Sequence, residues 1–117
     1  MMVPKFRGWD RKNHVMYDFM MMCFNVNLKN VLYRNNLTDF DVDMYTGLKD
    51  VNGKEIYVGD IVKYHNLDDK YQYLPIIWLD QDCLVSAGGY RIDIVARRCE
   101  VIGNIHENPE LLEAQHG

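Results

Sequence analysis

The most regular set of chemically capable side chains is a run of carboxylates near the middle of the chain. Asp39, Asp41 and Asp43 alternate with other residues, and Asp50 stands at the twelfth position counted from the first of them. This spacing imitates a calcium loop. Such a loop requires glycine at its sixth position, where Met44 stands, and it normally ends in a bidentate glutamate. The sequence therefore predicts no metal site here.

Other patterns typical of catalysis are incomplete. Five residues instead of four separate Gly47 from Gly53, and Glu55 stands where a phosphate-binding loop needs a magnesium-binding serine or threonine. The single serine, Ser86, has no histidine near it in sequence, and the four histidines lack the spacing of zinc ligands. We therefore predict no catalytic residues, no cofactor and no metal, and an uncharacterised enzyme is the third of three functional hypotheses.

Two groups of residues are candidates for binding a partner. Arg7, Trp9 and Asp10 place a cation, an aromatic ring and a carboxylate at the end of a predicted strand. An ion pair that stabilises a hairpin over a packed indole is the alternative interpretation of these three. Tyr71 and Tyr73 flank a polar segment, and small barrels use exposed aromatics of this kind to stack bases or to hold extended peptides. Core packing is the alternative for the tyrosines.

Basic residues support a second hypothesis, nucleic-acid binding. The formal net charge is −4, and the head of the chain is slightly basic while its tail is acidic. Binding to phosphate backbones depends largely on clustered lysine and arginine, so the overall charge weakens this hypothesis without removing a local patch. The candidate patch consists of Lys5, Arg7, Arg11, Lys12, Arg91, Arg97 and Arg98.

Length and composition predict one compact domain inside the cell. The chain has 117 residues, of which 48% are hydrophobic, which is enough to bury a core. No window approaches the ~20 apolar residues of a membrane span, and the start does not look like a secretory signal. We expect a cytoplasmic protein with no membrane partner. Cys23, Cys83 and Cys99 are odd in number, far apart and beside apolar neighbours, which predicts reduced, buried thiols.

Strand patterns dominate the first part of the chain. Segments 5–9 and 15–19 flank the turn formers of 10–13 and predict an opening hairpin. The apolar run 20–24 fits either a buried strand or a helical turn, and a second hairpin is expected over 25–33. Apolar Phe40, Val42 and Met44 alternate with aspartates, which predicts a half-buried strand whose aspartates all face water.

Turns and strands continue to a short C-terminal helix. Asn52-Gly53 and Gly59-Asp60 predict two reversals. Pro75 cannot donate to a ladder, so its strand should lie at a sheet edge or begin near that residue. Asn108 is expected to cap a helix that opens with Pro109. The predicted strands are 61–64, 73–79, 83–87, 90–94 and 100–105, with a helical turn as the alternative over 94–99.

Three segments together resemble the YopX family of small phage and prophage proteins. They are Lys5-Phe6-Arg7-Gly8-Trp9-Asp10, with glycine where alanine is more often expected, the run 45–62 with its Tyr-Thr-Gly-Leu-Lys-Asp and Asn-Gly-Lys-Glu-Ile-Tyr motifs, and 100–112. The resemblance implies a mainly β fold, with a small N-terminal β unit over 1–44. It also implies a segmented SH3-like barrel with a C-terminal helix over 45–117, and a phage or prophage origin. It supplies no catalytic residues.

The leading functional hypothesis is a non-enzymatic binding module. A phage would use it to engage a host or phage protein through a barrel edge or its loops, since small barrels offer open edges and aromatic rims. Self-association through unpaired edges is also expected to be possible. The family resemblance alone does not decide between protein binding and nucleic-acid binding, because folds do not determine function.

Overall fold

The computed structural model describes residues 5–24, 40–79 and 84–113. The chain divides into two compact units, residues 1–45 and 46–117, which are described in turn. Within the described ranges the elements are β1 (Phe6–Asp10), β2 (Val15–Tyr17), α1 (Phe19–Phe24), β3 (Phe40–Lys49), β4 (Glu55–Tyr57), β5 (Asp60–His65), β6 (Tyr71–Leu79), β7 (Leu84–Ala87), β8 (Tyr90–Arg91), α2 (Ile92–Ala96), β9 (Cys99–Asn104) and α3 (Glu110–Glu113).

The strands form two antiparallel sheets. One has the order β2-β1-β3-β4, and the other, with the order β8-β7-β6-β5-β9, is a curled half-barrel. Most sequence neighbours pair directly, as expected when short turns connect strands. The prediction of a mainly β protein is confirmed, and the described residues contain the short helices α1 and α2 in addition to a short C-terminal helix.

The opening hairpin of the first unit is confirmed. β1 pairs with β2, with Trp9 opposite Met16. The Asp10 carboxylate closes the turn by accepting the backbone N–H groups of Lys12 and Asn13 at 3.0 and 3.1 Å and the Asn13 side-chain amide at 2.8 Å. Burial raises the pKa of Asp10, but these hydrogen bonds and the charge of Lys12 together bring the pKa below its ordinary value.

The run 20–24, for which strand and helix were both open, belongs to helix α1. The Asp18 carboxylate accepts the Met21 N–H at 2.8 Å, as an N-cap residue does. Met22 packs with Phe40 in a small core, and a Cβ on Gly8 would lie only 2.8 Å from the terminal methyl of Met22. Glycine at this position thus leaves room for the methionine. The second predicted hairpin, 25–33, lies outside the described residues.

The predicted faces of β3 are partly wrong. Phe40 is buried as expected, but Val42 and Met44 are 48% and 45% exposed, while Asp43 is only 7% exposed. Asp43 lies opposite Arg7 on β1, whose Nε donates to the carboxylate at 3.1 Å. A buried charge is tolerated when it is paired, so the partner strand overrides the alternation read from β3 alone.

The core of the second unit lies between the strands of the half-barrel and α2. Ile56, Ile61 and Val62 are fully buried, and Val58 is half-buried. The predicted reversal at Asn52-Gly53 is confirmed, and Gly53 has a φ of +82°, a conformation that glycine adopts without strain. The core consists of Ile56, Val62, Tyr64, Leu74, Ile76, Ala87, Val95, Ala96 and Cys99.

Asp50 connects the Asn52-Gly53 turn to the last strand. Its Oδ1 accepts the N–H groups of Asn52 and Lys54, both at 2.9 Å, and its Oδ2 accepts the Val101 N–H at 2.8 Å. The Val51 N–H donates to the carbonyl of Cys99 at 3.1 Å. These bonds occupy the outer side of the first half of β9, which is an end strand of its sheet.

The prediction that the strand of Pro75 lies at a sheet edge or begins near that residue is wrong. Strand β6 begins at Tyr71 and lies between β5 and β7. Its ladder with β5 ends at the pair Ile61–Pro75, and its ladder with β7 starts at the pair Ile76–Ala87. The proline therefore occupies the point where one ladder gives way to the other, where a missing N–H interrupts neither.

The end of the chain departs from the prediction in two places. β8 contains only two residues, and the helix α2 begins at Ile92, earlier than the helical turn considered from 94 onward. The helix after Asn108 is confirmed, but the Asn108 side chain does not cap it. Its Oδ1 instead accepts the N–H of Asn104 at 3.3 Å and lies over Gly103, where a Cβ would clash at 2.6 Å.

Membrane-spanning helices and metal-binding clusters are both absent from the described residues. None of their helices has the length and apolar character to cross a membrane. No three of their histidine, cysteine and acidic side chains lie close enough together to hold a metal ion.

Candidate functional site

A cleft of about 540 Å³ opens in the second unit, and we refer to it as the β5–β9 cleft. It lies where β5 ends, β6 begins and β9 begins. Three cations, two carboxylates, one histidine and one tyrosine line it together with exposed aliphatic residues. Its charged, aromatic and aliphatic lining includes Lys63, His65, Asp69, Tyr71, Arg97, Arg98, Glu100, Val51 and Leu67.

The loop between β5 and β6 is shaped by a single side chain. The side-chain oxygen Oδ1 of Asn66 accepts hydrogen bonds from the backbone N–H groups of Asp68 and Lys70 at 2.9 and 3.1 Å. This turn places Asp69 in the left-handed region, with a φ of +63°. From there, Asp69 Oδ1 lies 2.8 Å from Nε2 of His65. The loop therefore carries a carboxylate back to the wall of the cleft.

Tyr71 is the aromatic centre of the cleft. It is 59% exposed and lies opposite His65 in the β5–β6 ladder, with the two ring centroids 4.5 Å apart. The Nζ atom of Lys63 lies 4.0 Å from the centre of the tyrosine ring, a cation–π contact. Lys63 is also opposite Glu100 in the β5–β9 ladder. The Lys63 ammonium contacts the Tyr71 ring, and the Glu100 carboxylate lines the cleft beside it.

Arg97 and Arg98 enter the cleft from the turn that joins α2 to β9. The Arg98 N–H donates to the Val95 carbonyl at 2.9 Å, and its own carbonyl accepts the His65 N–H at 3.0 Å. The backbone of the turn is thus fixed while both side chains are exposed. Neither guanidinium has a hydrogen-bond or ion-pair partner among the residues that the structure describes. Two adjacent arginines beside an exposed tyrosine are therefore available to an incoming ligand.

Cys99 lines the cleft but is not an activated nucleophile. The thiol is free and the residue is only 1% exposed. Burial, with the negative charges of Asp50 and Asp60, raises its pKa to about 12. A thiol of this kind stays protonated near neutral pH, and only the thiolate is reactive. The prediction of a reduced, buried thiol is confirmed for Cys99, whereas the side chains of Cys23 and Cys83 lie outside the described set.

The first group of predicted binding residues is buried in the first unit. Trp9 and Asp10 are 7% and 5% exposed, and Arg7 is ion-paired with Asp43. Asp10 holds the hairpin turn, and the indole of Trp9 meets the His14 ring edge-on at 5.9 Å. This placement resembles the alternative interpretation, an ion pair beside a packed indole. A role of these residues in binding stays a prediction.

The predicted basic patch is distributed over both units. In the first unit, Lys5 lies over the Tyr45 ring at 5.5 Å, and Arg11 lies 3.8 Å from the Asp41 carboxylate. Lys12 is exposed. In the second unit, Arg91 pairs with Asp93 at 2.8 Å, away from the cleft lining.

Of the predicted residues, the structure brings Tyr71, Arg97 and Arg98 into one site. Tyr73 lies outside the cleft lining and is half-buried. Sequence reasoning missed Lys63. The signal that identifies it is the hairpin register, which places residues 63 and 65 of β5 on the same face as residue 71 of β6.

The sheets and the cleft define a small β protein with an exposed mixed-charge site. A family model described as YopX protein matches residues 5–113. That range covers most of the chain, so the chain belongs to the YopX family. No curated protein matches it.

Two solved structures share the fold. Protein EF1440 from Enterococcus faecalis is 24% identical, with a TM-score of 0.63, and the match covers 96% of this chain and 99% of that one. Protein yopX from Bacillus subtilis is 19% identical, with a TM-score of 0.51 and the same two coverages. At these identities the likeness concerns the fold alone.

Proposed function

We propose that this protein is a non-enzymatic binding module of a phage or prophage that engages a host or phage protein in the bacterial cytoplasm. The observation that carries the proposal is the pair Arg97–Arg98, which lacks partners among the described residues and lies beside the exposed Tyr71. We further propose that the curled five-stranded half-barrel is a segmented SH3-like barrel, a fold class whose loops and edges commonly hold peptides.

The chemistry of the cleft favours binding over catalysis. A catalytic site needs a nucleophile or a general base aimed at a reacting atom. The one thiol of the described cleft lining, Cys99, is buried and protonated, and that lining contains no serine or threonine that the His65–Asp69 pair could activate. Such groups suit recognition, so an enzyme remains the third hypothesis.

The charge distribution favours a protein over a nucleic acid. Proteins that bind phosphate backbones neutralise several phosphates with clustered cations. The cleft has two carboxylates, Asp69 and Glu100, against three cations. Elsewhere, Arg7, Arg11 and Arg91 each lie next to an aspartate of the protein itself. A nearly balanced site matches the polar rim of a protein interface.

The cleft is also a better candidate than the ends of the half-barrel sheet. Peptides that add a strand need a row of free backbone groups. Around Cys99 and Val101 on β9, these groups are bonded to Val51 and Asp50. The opposite end strand, β8, offers only two residues.

Affinity capture from phage-infected cells tests the proposal. The tagged protein is compared with the double variant Arg97→Gln/Arg98→Gln, and Arg91→Gln serves as a matched arginine control outside the cleft. We expect a protein partner that resists nuclease and is retained by the wild type and the control but lost from the double variant. Recovery of the bait alone, or of nucleic acid that nuclease removes, would contradict the proposal.

A further inference from the structure

The β5–β9 cleft also indicates the kind of protein segment that it takes, an inference that rests on the proposed function. We propose that it binds a short acidic segment in which a carboxylate side chain lies next to an aliphatic side chain. The carboxylate pairs with Arg97 and Arg98, and the aliphatic side chain packs on the exposed Leu67 and Val51.

The arginine pair selects an anion with planar, paired oxygens. A guanidinium presents its donors in a rigid fork that matches a carboxylate in a bidentate arrangement. Arg97 and Arg98 are adjacent in sequence, and the backbone bonds of Arg98 to Val95 and His65 fix the turn that carries both. Their side chains have no carboxylate of their own within the described ranges, so a ligand carboxylate displaces only water from them.

The other charges of the cleft limit how negative the ligand group can be. The ammonium of Lys63 is held over the Tyr71 ring, which leaves the two arginines as the cations open to an anion. Asp69 and Glu100 line the same cleft and repel a highly charged ligand. A singly charged carboxylate satisfies the arginines with less repulsion than a phosphate dianion does.

An aliphatic contact follows from the exposed apolar side chains of the cleft. Leu67 is 85% exposed and Val51 is 57% exposed, and both line the cleft. Leu67 sits on the loop that Asn66 stiffens through two side-chain hydrogen bonds, so its position is defined although its surface is open. A partner side chain that covers these residues removes apolar area from water and adds affinity to the ion pairs.

Fluorescence anisotropy with defined probes tests the inference. The main probe is a short fluorescein-labelled peptide in which one glutamate is flanked by leucines, and its isostere carries glutamine in place of that glutamate. A phosphoserine-leucine peptide and a labelled oligothymidylate complete the set. We expect the glutamate peptide to bind and the glutamine isostere to bind at least about tenfold more weakly, the scale of one charge-assisted contact.

Three substitutions assign the binding to the cleft. Arg97→Gln/Arg98→Gln should weaken binding of the glutamate peptide by about tenfold or more, and Leu67→Ser by a smaller factor. Arg91→Gln should leave it unchanged. All of these side chains are exposed, so each variant should fold, and circular dichroism is the check. Equal binding of the glutamine isostere, or wild-type affinity of the double arginine variant, would overturn the inference.

The remaining outcomes separate this inference from the proposed function. Tighter binding of the phosphoserine peptide than of the glutamate peptide would overturn the preference for carboxylate. Tighter binding of oligothymidylate would overturn both statements in favour of a nucleic-acid site. A protein partner captured from infected cells that the double arginine variant still retains would refute the acidic-segment inference while leaving a binding module in place.

Discussion

Removal of the Asp50 carboxylate should destabilise the second unit more than any other single change to its turns. This carboxylate accepts hydrogen bonds from three backbone N–H groups, with N···O distances of 2.8–2.9 Å. One of the three donors, Val101, is 51 residues away in sequence. Asp50 is only 7% exposed. Its loss therefore frees the Asn52-Gly53 turn and the outer side of β9 at once.

The expected cost follows from the three hydrogen bonds. A hydrogen bond to a charged group contributes about 1.5–3 kcal/mol. Asn52 and Lys54 are exposed, so water replaces part of what their N–H groups lose, whereas the half-buried Val101 recovers less. We expect Asp50→Ala to cost about 3–4 kcal/mol in the free energy of unfolding. Asp50→Asn should cost about half as much, because its amide keeps one acceptor oxygen but turns a donor toward an N–H.

Urea unfolding followed by circular dichroism measures this cost. A shift of the midpoint at constant m-value reports a change in stability alone. Asp68→Ala is the matched control, because this aspartate is exposed and its carboxylate has no partner within the described part of the chain. A cost below about 1 kcal/mol for Asp50→Ala would refute the assignment of Asp50 as the connection between the turn and β9.

Three further predictions test other parts of the fold. Gly103→Ala should lower the free energy of unfolding in urea by about 1–2 kcal/mol, because the new Cβ displaces the Asn108 side chain. This cost should be smaller when Asn108 is also replaced by glycine, and an unchanged cost would exclude the contact. Cys99 should resist iodoacetamide at pH 8 until urea is added, because it is buried and its pKa is raised to about 12. Peptide mass spectrometry separates Cys99 from Cys23 and Cys83, and labelling of Cys99 in the folded protein would contradict its burial. The hydrogen bonds that lower the pKa of Asp10 stabilise the fold fully above about pH 4, and this contribution is lost as the pH falls through the folded pKa. Asp10→Asn should therefore lose less stability than the wild type between pH 6 and pH 3, and equal losses would refute the contribution.

Local signals in the sequence predicted the turns and most strands well. Gly53 and the bonds that Asp50 accepts from Asn52 and Lys54 lie within a few residues of each other, so local residue types indicate the reversal, whereas the bond from Val101 to Asp50 has no local signal. The opening hairpin of β1 and β2 follows for the same reason. The capping of α1 by Asp18 is also local, although the apolar run after it did not distinguish helix from strand.

The wrong predictions concern residues whose burial or position in the sheet depends on a partner that is distant in sequence. Asp43 is buried because Arg7 lies opposite it, 36 positions earlier, and alternation along β3 contains no information about that pairing. Pro75 fits inside the sheet because two ladders meet there, which depends on the register of three strands.

The cleft has the same non-local origin. Arg97 and Arg98 reach the β5–β6 loop only because β9 pairs with β5, and Lys63 contacts Tyr71 only in the observed register. Sequence reasoning identified the arginines and Tyr71 as separate candidates but could not bring them together. It also could not tell that Arg91 would lie outside the site, paired with Asp93.

An NMR titration of the ¹⁵N-labelled chain with the glutamate-leucine peptide tests most directly whether the β5–β9 cleft is the binding site of this protein. We expect chemical-shift changes concentrated at Leu67, Tyr71, Arg97 and Arg98, with the Lys5–Lys12 segment of the first unit unaffected. Changes centred on the first unit, or no changes at peptide concentrations that saturate the anisotropy signal, would contradict this assignment of the site.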